Sequence, residues 1–227
     1  MRIKALLLGD IRFQFKYGFY FIYLIFATIY ISLLYALPVA WRERAAALMI
    51  FTDPAAMGLY FMGAIILFEK SERVLNSIAI SPVKPMEYVV SKLFSIALIS
   101  TAVGLLIGFG GGVISNPFFF VLGVFLGSCL FSSVGLMVAA NIASLNQFVV
   151  ATIPAELVIN LPAIAWLFGW KQGWLMLHPG VCIIELCQNG GSAFPAAVIL
   201  VFWTTLSAIL ALHVIEKSLR SLGGAKL

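Results

Sequence analysis

The sequence predicts an all-α integral membrane protein of six transmembrane helices. It adds an N-terminal interfacial helix, a short cytoplasmic loop helix and an outer re-entrant segment. Three observations lead there. Of 227 residues 63% are hydrophobic and only 10% charged, with a mean hydropathy of +1.08, whereas a soluble domain carries about 25% charged residues. Six segments reach the roughly 20 residues that cross a bilayer. The basic residues cluster in alternate connectors. Together these exclude a soluble enzyme, a disordered tail and a coiled coil.

The elements follow in order. Residues 1–16 place Ile3, Leu7, Ile11 and Phe15 at helical spacing, with Arg2, Arg12 and Lys16 opposite, as in a helix lying on a membrane surface. Lys4 and Asp10 blur that pattern. A cleavable signal is not expected, because Asp10, Arg12 and Lys16 break the first apolar patch at once. The spans read as 17–37, 45–68, 93–113, 118–140, 148–170 and 195–215. The second is interrupted by Asp53-Pro54, so its membrane core starts near Ala55. Ser115-Asn116-Pro117 turns between the third and fourth. Segment 172–194 holds two apolar pieces too short to cross, split by His178-Pro179-Gly180 and closed by Asn189-Gly190-Gly191. Helices are expected because backbone groups in lipid must be satisfied within the segment. No internal repeat is evident.

Orientation follows from the Lys and Arg distribution. Six spans put Arg2, Lys4, Arg12, Lys16, Lys70, Arg73, Lys84, Lys92, Lys217, Arg220 and Lys226 on one side. That is eleven of fourteen, against Arg42, Arg44 and Lys171. Both termini are therefore expected to be cytoplasmic. The net charge of +5 forms no basic stripe with interleaved aromatics, so nucleic acid is not an expected partner.

Chemistry-bearing motifs are sparse. No GxxxxGK[ST], HExxH or GxSxG occurs, so the chain cannot cradle a nucleotide phosphate in the P-loop manner. His178, Cys182 and Glu185 would share a helix face, but Pro179-Gly180 interrupts it, and they read as turn and packing residues. Cys129, Cys182 and Cys187 lack zinc-site spacing; a Cys182–Cys187 disulfide on the outer face stays open. Glu156 is an acid within the fifth span, with Asn160 one turn later between Pro154 and Pro162. Such a group costs roughly a few kcal/mol and faces protein or a water-filled cavity. It reads either as a polar element of a translocation path or as an interhelical hydrogen-bond partner. Gly123, Gly127, Gly135 and Ala139 on the fourth span, and Gly104, Gly108 and Gly112 on the third, read as close helix contacts.

The informative stretch is Glu69-Lys70-Ser71-Glu72-Arg73-Val74-Leu75-Asn76-Ser77-Ile78-Ala79-Ile80-Ser81-Pro82-Val83, followed by Tyr88 and Lys92. It resembles the cytoplasmic loop of type-2 ABC exporter permeases, where Glu-Arg-Glu-Arg-Gly-Thr-Leu leads through a hydrophobic turn to Thr/Ser-Pro. Glu69, Leu75, Ile78, Ser81, Pro82, Val83 and Lys92 match; the family's Gly-Thr is here Arg73-Val74. The six-span layout extends the resemblance over nearly the whole chain. It implies a permease subunit in a bacterial or archaeal cytoplasmic membrane, moving an amphipathic or apolar substrate outward. It implies two separate ATPase subunits holding ATP and Mg, and a second permease copy or paralogue. The loop becomes the coupling helix, with Leu75 and Ile78 seated in an ATPase groove. Glu69 and Glu72 fix it by ion pairs or capping, beside Arg73, and Ser81-Pro82 ends it. The alternatives are a membrane-embedded lipid-modifying enzyme, disfavoured for want of a second intramembrane acid or a histidine beside Glu156, and a scaffold or assembly factor.

Overall fold

The computed structural model describes residues 2–188 and 191–222. Met1, the Asn189-Gly190 part of the outer turn and Lys226 lie outside the described residues. Ten α-helices occur among the described residues: α1 (Arg2–Lys16), α2 (Phe19–Ala36), α3 (Val39–Ile50), α4 (Met57–Ser71), α5 (Val74–Ala79), α6 (Pro85–Gly110), α7 (Pro117–Ala140), α8 (Leu145–Leu167), α9 (Pro179–Gln188) and α10 (Ala193–Leu222). Among the described residues six helical segments are long and apolar enough to cross a membrane, the second being α3 and α4 joined into one 33-residue helix.

That junction is a π-helical turn, Phe51–Ala55. Pro54 has no N–H, so regular winding would lack one backbone hydrogen bond there. The wider turn absorbs this, with the Ala56 N–H bonded to the Phe51 carbonyl at 3.2 Å. The helix therefore continues through Asp53-Pro54 where the sequence suggests a late start. Asp53 is carried inside, 3% exposed.

α4, α6 and α7 form the centre, with α7 packed on α4, α6, α9 and α10. The small residues of α7 permit this. A Cβ on Gly135 would stand 2.3 Å from the Leu59 carbonyl, and one on Gly123 would stand 2.7 Å from Leu186. Gly104 and Gly108 also meet neighbours, but Gly112 meets none. Gly112 has φ +63° and serves the turn after α6, a left-handed position that glycine takes without steric cost. At the end of α7, Lys70 Nζ donates to the carbonyls of Ala139, Ala140 and Ile142 at 2.7, 2.7 and 2.9 Å, satisfying groups that a helix end leaves open.

Helix ends have local causes. Asn116 accepts from the Phe118 and Phe119 N–H groups and starts α7 at Pro117. Ser144 accepts from Gln147 N–H to start α8. α8 ends at Leu167 because Gly169 takes φ +104°, with Trp170 N–H bonded to Ala165 O and Gly169 N–H to Trp166 O. α6 begins two turns before the expected span, at Pro85, so Lys92 sits inside a helix rather than at its mouth.

Candidate functional site

The loop after α4 turns sharply at Arg73, the one non-glycine residue with positive φ (57°) among the described residues. In the left-handed region a side chain costs roughly 1–2 kcal/mol relative to the right-handed one. This is the position where the resembling permeases carry glycine. Here arginine makes a left-handed turn at that position.

Only six residues of α5 follow, and they point in two directions. Leu75 is 2% exposed and belongs to the main core. Ile78 and Ala79 are half-buried against that core. Ile80 is 83% exposed, and Glu72, Arg73, Val74, Asn76, Ser77 and Pro82 are also exposed. Leu75 therefore fastens α5 to its own protein and is not open to a groove elsewhere. Ser81 Oγ donates to the Ile78 carbonyl at 2.8 Å and accepts from the Val83 N–H at 3.3 Å, closing the loop.

The acidic pair divides as well. Glu72 is exposed at the end of α4 and takes part in no ion pair among the described residues. Arg73, at the N-cap of α5, gives it no side-chain cap. Glu69 turns inward. Its Oε1 pairs with Lys92 Nζ at 2.5 Å, and its Oε2 accepts from the Tyr88 hydroxyl at 2.5 Å. Lys92 also pairs with Asp10 Oδ1 of α1 at 2.5 Å, and Ser91 Oγ donates to Asp10 Oδ2 at 2.6 Å. One turn on, Gln14 donates to Ser95 Oγ at 3.1 Å, and Ser95 to the Lys92 carbonyl at 2.9 Å. Lys92 is 3% exposed. Glu69 and Glu72 thus do not cap α5. Instead Glu69 joins the bases of α4 and α6 to α1.

Such a cluster stands only if nearly every polar atom is met, since a buried charge without a partner is expensive. Here all four carboxylate oxygens of Asp10 and Glu69 have donors. Internal neutralisation also explains why α6 extends past Lys92. The sequence does not mark Asp10, Gln14, Tyr88 and Lys92 as a unit. Its one signal is Asp10, the single acid of a helix whose other charges, Arg2, Lys4, Arg12 and Lys16, are all basic, set against a lysine at the start of a span.

Glu156 and Asn160 share the inward-facing side of α8 with Thr152, Ile159 and Ala163. The outward side carries Val149, Val150, Ile153, Leu157, Val158 and Leu161. The Glu156 carboxylate faces the Tyr60 hydroxyl of α4, and Glu156 Oε1 and Asn160 Oδ1 are enclosed without a protein partner. The structure supplies a second intramembrane acid, Asp53, beside Tyr30 of α2. The expected lack of one is thereby corrected, the cause being the continuous helix through Pro54.

At the opposite end, Cys182 and Cys187 are both free and buried, and Cys182 Sγ donates to the Met176 carbonyl at 3.3 Å. Glu185 accepts from Trp166 Nε1 at 2.7 Å. No cluster of three or more metal-ligating side chains occurs among the described residues. Burial lowers the His178 pKa, so its imidazole is neutral near pH 7.

Comparison with known proteins follows the same outline. The fluoroquinolones export permease protein family matches residues 1–222. Two fluoroquinolones export permease proteins of Mycobacterium tuberculosis, strains CDC 1551 / Oshkosh and ATCC 25618 / H37Rv, are each 26% identical over 204 residues. Each alignment covers 75% of this chain and 85% of the relative. The resemblance carried by the loop from Glu69 to Pro82 is therefore that of an ABC-type exporter permease, and this chain belongs to the fluoroquinolones export permease family.

Proposed function

We propose that this chain is the membrane subunit of an ATP-driven exporter, working as a pair of permeases with two separate ATPase subunits that hold ATP and Mg. Its basic end faces the cytoplasm of a bacterial or archaeal cell. The chain has no phosphate-binding loop, so ATP-driven work must enter through contact with another subunit. The observation that carries the reading is the division of labour in the loop. α5 exposes Val74, Asn76 and Ser77, with Ile80 just beyond it, while Leu75 and the Glu69–Lys92–Asp10 cluster tie it to the bases of two spans and to α1. A push on the exposed edge is handed to all three helices together. The substrate class is amphipathic or apolar, in line with the relatives named for fluoroquinolone export. Glu156 and Asn160 would offer it, or an inserted water, their open hydrogen-bond capacity.

The test is co-purification of the ATPase subunit from native membranes together with substrate-stimulated ATP hydrolysis. Ile80→Asp places a charge on the exposed edge, outside the bilayer, and should abolish both while membrane expression stays normal. An unpaired charge buried at such a contact costs roughly 3–5 kcal/mol. Ile78→Asp should weaken them less selectively, because Ile78 also packs on the chain's own core. Normal association and normal coupling in Ile80→Asp would overturn the reading.

A further inference from the structure

Two hollows follow one another along a single side of α10. The first, of about 140 Å³, lies between the first two turns of α6 and the middle of α10. It is lined by Val89, Val90 and Leu93 on one side and Ala208, Ile209 and Leu212 on the other. Apart from Thr205, every lining side chain is apolar. The second, of about 360 Å³, continues towards the basic end between α5 and α10. It is lined by Ile78, Val83, Glu216, Leu219 and Arg220. Lys84 is exposed beside Val83, and Lys217 and Arg220 flank an adjoining hollow on α10. Arg220 pairs with Glu216 at 2.5 Å.

The dimensions fit one membrane leaflet. From Thr205 to Leu212 the axis rises about 10 Å, and from Leu212 to Arg220 about 12 Å more. Half of a hydrocarbon core is about 15 Å deep. The sequence of surfaces met along α10 is apolar trough, then amphipathic hollow, then Lys217 and Arg220 with Glu216, and across the seam stands Lys84, whose backbone N–H donates to Glu87 Oε2 at 2.9 Å. A free apolar solute would have no use for the basic rim. A soluble anion would have none for the trough. We propose that the seam between α6 and α10 binds one anionic phospholipid, its acyl chain in the trough and its phosphate against Arg220, Lys217 and Lys84. Basic residues at this depth favour an anionic headgroup. Because Ile78 and Val83 wall the same hollow, the lipid is wedged beside the loop assigned to ATPase contact. The proposal rests on the membrane placement given above but not on the ATPase partnership. Loss of ATPase binding with lipid retention intact would strike that partnership alone.

The measurement is native mass spectrometry of the purified permease, titrated with phosphatidylglycerol and with phosphatidylcholine of the same acyl chains. The wild-type chain should retain one phosphatidylglycerol with a preference of roughly fivefold, the rim of three bases and two acids carrying one net positive charge worth about 1 kcal/mol. Combined Lys84→Gln, Lys217→Gln and Arg220→Gln should bring the ratio to one or below. Glu216→Gln frees Arg220 and should raise it, a direction that a merely structural role does not produce. Ala208→Phe fills the trough and should remove retention of both lipids. Arg12→Gln with Lys16→Gln, on basic residues of α1, should leave the preference unchanged. Equal retention of the two lipids by the wild type, an unchanged ratio in the triple variant, or an equal drop in the α1 pair would each overturn the site. The charge substitutions lie beyond the apolar segment, so the test stands even if Ala208→Phe does not fold.

Discussion

Two short helices sit outside the six long segments, at opposite ends of the molecule, and they are held in opposite ways. α9 is buried along its whole length from Pro179 to Cys187 and packs on α3, α7, α8 and α10. Its polar ties are local hydrogen bonds, Glu185 to Trp166 and Cys182 to the Met176 carbonyl. α5 buries one side chain fully, Leu75, and depends on an ionic cluster at the bases of its neighbours. Burial on all sides makes α9 a wedge that fixes the spacing of the helices around it. Exposure on one edge, with rigid attachment on the other, makes α5 a handle.

The anchoring of α5 depends most on Lys92. Lys92→Met leaves the Asp10 and Glu69 carboxylates buried beside each other without a cation and should cost about 3–5 kcal/mol. Thermal unfolding of the detergent-solubilised protein measures this. Adding Asp10→Asn and Glu69→Gln removes the orphaned charges and should recover most of the loss. A single variant as stable as the wild type would mean that the cluster anchors nothing. The wedge is tested next, at Gly180. A Cβ there would stand 2.4 Å from the Ile159 carbonyl and 3.0 Å from Ala163, so Gly180→Ala should destabilise by about 1–3 kcal/mol. Because α5 lies at the other end, ATPase association should persist in that variant, and its loss would show that the two helices are not independent. The smallest effect is expected at the handle's turn. Arg73→Gly relieves the left-handed side chain and should stabilise the loop by less than about 1 kcal/mol. A destabilisation would assign the Arg73 side chain a contact that outweighs its backbone.

The long helices were legible because a run of some 20 apolar residues leaves little choice of structure in lipid. What sequence reading left undetermined was direction. In α5, six residues are too few for a periodic stripe to choose a side. The left-handed Arg73 resets the face on which Leu75 falls, and so Leu75 turned inward and Ile80 outward. Glu69 looked like a surface acid beside a charged loop, because its partners come from α1 and α6, far away in the chain. Asp10 is the clue, the single acid of a helix whose other charges are basic. Asp53-Pro54 looked like the edge of a span, since proline normally ends regular winding. The wide turn that accommodates it is a tertiary outcome, supported by packing against α6 and α7.

The π turn at Phe51–Ala55 means that the helix from Val39 to Ser71 holds one residue more than regular winding would place there. The wide turn takes up the rotation of that extra residue, so α3 and α4 face as they would along an uninterrupted helix. A residue added without such a turn would rotate α3 by about 100° relative to α4, and Ala46, Ala47 and Ile50, now buried, would leave the core. Loss of a single codon within Phe51–Ala55 should instead give back regular winding with those three side chains still facing inward. The reading frame at this point is therefore freer to shorten than to lengthen.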